Sequence, residues 1–501
     1  MARSVAVVAL YVVWTAFVVL TPVLGAWFAS SLAAYGGGKP WAAALIGLLL
    51  FPILPGAWEA FAEWRFKRRP EKLRKPHILT LGDRVLLRTL FLNLTFLVVV
   101  LAFRPQATFR ALAARGDWVL DGSHGATANG FRRFLFGSAE RLEWLYRLTD
   151  RDPYSGDGTL VASDKPPPMP HHDVLRVEDP RAPTGDTPTP TPTPAPASPP
   201  RPVEAGHPWP SSPTPHPLAT SAPADAERSV DALAQWATSV EPDRMQRFKL
   251  LHDWVATHVD YDVAMLKTRR IVQQDADSVL SKRVAVCAGY SKLLEALGKK
   301  AGFEITYVAG HARTSGSDVD GERHAWNVVV IDGTSYLVDS TWDAGYVGRD
   351  AGEADESFHR QYTTDFLFAP AEVFGVNHFP DEAKWQLRSS PISRGDFVRQ
   401  PVLSPKFFAA GLKLVQPDRS HVTAAGSLSL AVERSSEDAW LMASAAAPDG
   451  TRTDCEVNRG ERFDVTCAFP AAGKYDVILF FNTVQYGTYW SVGSIDVVND
   501  P

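Results

Sequence analysis

Three apolar runs within the first 103 residues constrain this chain more than any other feature. Val5 to Leu24, Trp41 to Ala62 and Val85 to Phe103 are each near the length of about 20 residues that takes a helix across a bilayer. One such run is compatible with a buried core helix. Three in succession predict membrane insertion. Arg88 and Asn93 interrupt the third. The first is long for the apolar stretch of a signal peptide and is preceded only by Arg3. A retained anchor is therefore expected, rather than cleavage near Ser31 to Ala34. Arg65, Lys67, Arg68, Arg69, Lys72, Arg74 and Lys75 lie between the second and third runs, and only Lys39 between the first and second. The positive-inside rule then puts the N-terminus and the basic loop in the cytoplasm, and everything after Phe103 outside.

Beyond the membrane region the pattern changes several times. Residues 105–160 are mixed, with a candidate amphipathic helix from Phe131 to Leu148 carrying Phe134, Leu135, Leu142, Trp144, Leu145 and Leu148. Residues 161–223 hold twenty of the 38 prolines, including the alternating run Thr187 to Pro196. Such a segment cannot bury enough apolar surface to fold and reads as a disordered linker. In extended polyproline geometry its ~60 residues reach at most ~190 Å. His171 and His172, at its edge, read as solvated.

From 224 to about 395 the pattern is globular, with mixed helices and strands. Val230 to Ser239 and Pro242 to His258 read as helices, Pro242 suiting a first helical position. Phe248, Leu251, Trp254, Val255 and Val259 share one face and belong to a core. Val279 to Ala301 contains another helix, followed by strands at Glu304 to Val308, Ala325 to Ile331 and Ser335 to Val338. Short strands then recur at Ser427 to Val432, Ala439 to Ser444, Phe463 to Phe469 and Tyr475 to Phe481. Their spacing predicts a β-sandwich over 396–501.

The formal net charge of -5 and pI near 6.2 supply no basic footprint for nucleic acid. Nothing in the sequence indicates a calcium or nucleotide site. No CxxC occurs among the three cysteines, so neither a zinc nor a thioredoxin-like reading has support, and no cofactor or metal is expected. Cys455 and Cys467 lie in two strand-like segments, where a disulfide could form outside the cytoplasm. Cys287 is left over, which flags it as a reactive thiol.

Cys287 stands at the start of a helical pattern, Tyr290, Leu293, Leu294, Leu297 and Ala301. A thiol there feels the positive end of the helix dipole, which favours the nucleophilic thiolate. Gly289 leaves room for a close backbone approach. Taken alone this is weak, since a lone cysteine is more often a small core side chain. Its context lies some forty residues on. His324 to Ile331 reads as a strand, Asp332-Gly333 as a hairpin turn, and Ser335 to Trp342 as the return. A two-residue loop sets position 339 opposite 326, so Asp339 shares a face with His324 one diagonal step away, about 7–8 Å between backbones. A three-residue loop without a bulge would separate them. A four-residue loop keeps them on one face and sets Asp343 opposite His324, which makes Asp343 the rival. The hairpin can thus present a base with its orienting carboxylate. His311, Glu304 and Tyr307 read as strand residues with structural roles.

These pieces resemble the transglutaminase-like cysteine peptidase superfamily. They are Val286-Cys287-Ala-Gly-Tyr-Ser, His324-Ala-Trp-Asn and Tyr336-Leu-Val-Asp339-Ser-Thr-Trp342. The later segments Phe366 to Phe374 and His378 to Leu387 resemble its kyphoscoliosis-peptidase and cytokinesis-protein branch. The resemblance covers roughly residues 230–490; Ala285-Val286 departs from the Gly that many relatives carry before the cysteine. It implies an α+β protein: a papain-like transglutaminase core of helices packed on an antiparallel sheet, followed by the β-sandwich. It implies Cys287 as nucleophile, His324 as base and Asp339 as orienting carboxylate, acting through a thioester on protein or peptide amides. The thioester would be resolved by water or by an amine. The oxyanion site would include the Cys287 N–H; the sequence names no second donor. The alternative is a binding or scaffolding protein of the cell envelope on the same fold.

Overall fold

The computed structural model describes residues 2–70, 79–123, 125–150, 169, 173–178, 208–268, 273–315, 319–348 and 356–500. It forms two compact units, Met1–Arg151 and Asp152–Pro501.

The first unit contains three helices long and apolar enough to cross a membrane: Val12–Gly36, Pro40–Lys67 and Leu81–Phe103. Their large apolar side chains point mostly outward; Val12, Leu45, Ile53, Phe91 and Val98 are all exposed. An apolar exterior of that extent suits lipid rather than water. Arg88, which interrupted the third run, pairs with Glu59 of the second helix at 2.8 Å, and Arg84 binds the same carboxylate at 2.6 Å. A cross-helix ion pair thus neutralises the charge. The single helix expected over Phe131–Leu148 is two, Ala126–Glu140 and Glu143–Thr149. The break falls at Arg141 and Leu142, where the Leu142 N–H turns to the Ala139 carbonyl three residues back at 2.9 Å.

In the second unit, the central five-stranded sheet runs His378–Pro380, Glu304–Ala312, Glu322–Ile331, Thr334–Val338, Leu367–Ala369 in spatial order. Neighbouring strands are antiparallel. The helix Cys287–Lys300 packs on this sheet, burying Tyr290, Leu293, Leu294 and Leu297. Asn327 ties the two layers: its Nδ2 donates to the Ser291 carbonyl at 3.1 Å. The helices Val230–Val240 and Arg244–His258 complete the core, with Trp254 fully buried. Pro242 lies outside its helix. Asp243 caps instead, its carboxylate accepting from Gln246 N at 2.9 Å, the interaction an N-cap position rewards.

The linker boundary also moves. Residues 208–223 pack on the core rather than preceding it: Trp209, Leu218 and Ala222 contact its apolar cluster, and Ala219 is fully buried within it. Val174–Val177 forms a strand against Gly487–Trp490. The proline composition hid these anchors, because one tryptophan and a few aliphatic residues suffice to dock a segment on a core that already exists. Residues 179–207 and His171–His172 lie outside the described residues.

The C-terminal part stacks a seven-stranded sheet on a four-stranded one across a shared apolar core. Leu430, Val432, Phe463 and Val465 face Ala443, Val477, Leu479 and Ile495 in that cluster. The longest strand, Gly487–Asn499, pairs with four others on the seven-stranded sheet. Its run Ser491 to Ser494 alternates too weakly to be read from sequence. Cys455 and Cys467 form a disulfide within this core.

Candidate active site

The site grows from two local structures. The first is a sharp entrance to the cysteine helix. Arg283 takes a left-handed conformation (φ 59°) and ends the helix Ala276–Lys282. Val284–Ala285 then runs parallel to Asp260–Tyr261. Val286 is extended (φ -99°, ψ 179°), so no glycine is needed before the cysteine. Cys287 is the first residue of its helix, where backbone N–H groups have no intrahelical acceptor. Gln274 closes over this turn: its Oε1 accepts from Val286 N at 3.0 Å. A Cβ on Gly289 would lie 2.4 Å from that oxygen and 2.6 Å from Ala285 Cβ, so only glycine fits.

The second is the hairpin. Asp332 (φ 51°) and Gly333 (φ 81°) form its two-residue turn, and Ile331 pairs with Thr334 and Asn327 with Val338. In this register Asp339 emerges one step past Val338, beside His324. His324 Nε2 lies 2.8 Å from Asp339 Oδ2. Asp339 Oδ1 accepts from Thr341 N at 2.9 Å and Trp342 N at 3.3 Å. Cys287, His324 and Asp339 are all buried, at 0%, 1% and 0% exposure.

The electrostatics match an ion-paired arrangement. Burial works against a charged His324, yet the Asp339 carboxylate and the Cys287 sulfur raise its pKa to about 10. Asp339 would be pushed up by burial, but His324 and His378 hold it well below the usual carboxylate range. His324 Nδ1 makes no hydrogen bond of ordinary geometry, while the Cys287 thiol still acts on the ring through charge and a hydrogen-bond contribution. Loose contacts of this kind tighten when substrate binds.

The sequence reading gave His378 no role, though it fell in a segment quoted for resemblance. Its Nε2 lies 3.1 Å from Asp339 Oδ2, and its ring stacks on Phe374 at 4.0 Å with Trp342 at 4.6 Å. Burial lowers its pKa to about 4, outweighing the Asp339 bond. His324, Asp339 and His378 are close enough to hold a divalent ion. Their 2.8 and 3.1 Å separations, however, are already those of direct hydrogen bonds.

Asp343, the rival carboxylate, is engaged elsewhere. Its Oδ1 accepts from Thr363 Oγ1 at 2.8 Å and Phe366 N at 3.1 Å, and its Oδ2 faces His252 Nε2 at 3.2 Å. His311 is buried in its strand with Arg394 at 3.2 Å. Trp342 has a double position: its ring is 5.2 Å from His324 and also lines a cleft with Asp365, Asn377, Lys406 and Ser491.

A fully buried thiol at a helix N-terminus, beside a sheet that presents a His–Asp pair, defines a cysteine-enzyme-like core of the papain and transglutaminase kind. Residues 231–340 match the profile of the Transglutaminase-like superfamily, and the chain carries a domain of that superfamily. It is similar to kyphoscoliosis peptidase of Mus musculus and of Homo sapiens, in each case 29% identical over 195 residues, 38% of this chain and 29% of the relative. It is also similar to the Lim and transglutaminase domain protein ltd-1 of Caenorhabditis elegans, 27% identical over 143 residues, 27% of this chain and 19% of that protein. The chain spans less than a third of the length of these curated relatives.

Proposed function

We propose that the protein is a membrane-anchored cysteine enzyme that acts on protein or peptide amides through a thioester. The observation that carries this reading is the 2.8 Å His324–Asp339 bond, buried beside a thiol at a helix N-terminus. Cys287 Sγ attacks the carbonyl carbon, forming the C–S bond while the carbonyl π pair moves onto oxygen. The intermediate collapses, the C–N bond breaks, and the leaving amine takes the proton held by His324. Asp339 keeps Nε2 protonated, which leaves Nδ1 to exchange that proton with sulfur. Water or an amine then resolves the thioester.

Three apolar helices support anchoring, and the loop charges favour a globular part outside the cytoplasm. The Cys455–Cys467 disulfide fits an oxidising compartment there. The substrates we assign are envelope proteins or peptides, approaching along the cleft that ends on Trp342.

The test uses the full chain in detergent. Iodoacetamide should label Cys287 much faster than a free thiol, and His324→Ala should abolish the excess. Mass spectrometry after incubation with a glutamine peptide, with and without a primary amine, separates hydrolysis from transfer. One observation favours a second reading, a non-catalytic binding module: Cys287 has no exposed surface. Labelling at free-thiol rates, unchanged by His324→Ala, would establish that module.

A further inference from the structure

Thioester formation puts a full negative charge on the substrate oxygen, and one N–H, that of Cys287, is poorly matched to hold it alone. A second donor has to be buried, protonated and uncommitted, and has to sit on the cysteine side of the site. Most buried donors nearby are committed. Tyr290 OH donates to the Val259 carbonyl at 2.5 Å, and Tyr362 OH to Asp253 at 2.6 Å. Trp254 Nε1 donates to Glu227 at 2.9 Å. Apart from the Ser340 and Thr341 hydroxyls, which directly follow Asp339 in the chain, the buried donors at the site with no hydrogen-bond partner among the described residues are the Tyr261 hydroxyl and the Trp326 indole N–H.

Position separates these two. Trp326 lies over Gly310, where a Cβ would come within 2.5 Å of its ring, and packs on His378 at 5.0 Å and Phe374 at 6.0 Å. That is the His378 end of the sheet. Tyr261 pairs in parallel with Ala285, and paired residues in a ladder project to the same face. Because Val286 is extended, Ala285 and Cys287 also project to one face, by the two-residue period of extended chain. Tyr261 and Cys287 therefore leave this short ribbon on the same side. The ribbon is held in place: Asp262 N donates to the Ala285 carbonyl at 2.9 Å, and Arg360 binds the carbonyls of Ala256 and Val259 at 2.6 and 3.1 Å.

We propose that the Tyr261 hydroxyl is the second oxyanion donor, paired with the Cys287 N–H. This rests on the reading of Cys287 as an acyl nucleophile. Burial, then the neighbouring Cys287 charge, hold the phenol well above its ordinary range, so it stays a donor at working pH. In the step it serves, sulfur supplies the electron pair of the new C–S bond and the carbonyl π pair becomes the oxyanion held by Tyr261. When that pair returns, the leaving group departs with its bonding electrons, and Tyr261 keeps its proton throughout.

Two reactions of the same thiol test this in the full chain in detergent. Iodoacetamide alkylates by displacing iodide and forms no oxyanion, whereas p-nitrophenyl acetate acylates through one. Tyr261→Phe should slow acylation about 10²–10³-fold, as loss of one oxyanion donor does, and leave alkylation unchanged. An acylation rate within tenfold of the native one overturns the proposal. So does a parallel fall in both reactions, which marks Tyr261 as a packing residue. Slow acylation in Trp326→Phe with native acylation in Tyr261→Phe reassigns the donor to the indole. If the unmodified protein acylates no faster than a free thiol and His324→Ala changes nothing, the acyl-transfer reading falls first and takes this one with it.

Discussion

His378 and His324 both reach Oδ2 of Asp339, at 3.1 and 2.8 Å. An ionised carboxylate only accepts, so both Nε2 atoms carry the hydrogen. One oxygen is thereby fixed by two imidazoles, while Oδ1 is fixed by two backbone amides. His378→Phe suits the aromatic surroundings of Phe374, Trp342 and Phe366 and removes one donor. Acylation of Cys287 by p-nitrophenyl acetate should slow about tenfold, the scale of one hydrogen bond to a charged group. Near neutral pH thermal unfolding should stay cooperative, with a modest fall in Tm from the lost Asp339 bond. An unchanged rate would mean that His324 and the amides suffice to hold the carboxylate.

Asp339→Asn keeps the shape of the site but leaves His324 free to take the wrong tautomer. Acylation should fall about 10³–10⁴-fold, as in other triads that lose this carboxylate. Asp343→Asn touches the His252 cluster rather than His324, and should cost stability with acylation within a few-fold of native. Equal losses in both variants would contradict the separation of the two carboxylates.

The two buried histidine sites give stability opposite pH dependences. His252 sits between Asp253 at 2.9 Å and Asp343 at 3.2 Å; burial opposes its charge, but the two carboxylates raise its pKa to about 9. Its folded value lies above the unfolded one, about 6.5, so its contribution is complete below pH 6.5 and lost as pH rises through about 9. His378 is depressed to about 4. Its contribution is complete above pH 6.5 and lost as pH falls through that value. Melting temperatures of His252→Gln should converge on native from pH 6.5 to 9. Those of His378→Phe should converge on native from pH 6.5 to 4. Differences that stay constant with pH would contradict the assigned charge states.

Gly289→Ala forces a methyl against Gln274 Oε1 and Ala285 Cβ. Overpacking of this kind costs about 1–3 kcal/mol, read by denaturant unfolding. It should also displace the Cys287 turn and slow its alkylation. Native stability would show that Gln274 swings away freely.

The hairpin that carries His324 and Asp339 was legible because a two-residue Asp-Gly turn fixes register, and register fixes which side chains share a face. Its geometry followed once Ile331 met Thr334. The cysteine helix was legible from the spacing of Tyr290, Leu293 and Leu297. His378 and Tyr261 were not. His378 reaches Asp339 only because its strand pairs with Glu304–Ala312, a contact between segments far apart in sequence. Tyr261 belongs to a two-residue strand, too short to leave a periodicity. Trp209 and Val174–Val177 were hidden by their proline-rich surroundings, whose composition describes an average and not the few residues that dock.

Burial of Cys287 also bears on the chemical fate of its sulfur. Cys455 and Cys467 protect one another as a disulfide, but Cys287, the nucleophile we propose, must remain a thiol to act. On the outer face of a membrane, oxidants and mixed-disulfide partners attack exposed sulfur. With no exposed surface, Cys287 meets them only when its surroundings open. On the proposed topology and activity, the working lifetime of this thiol is then set by how often that site opens.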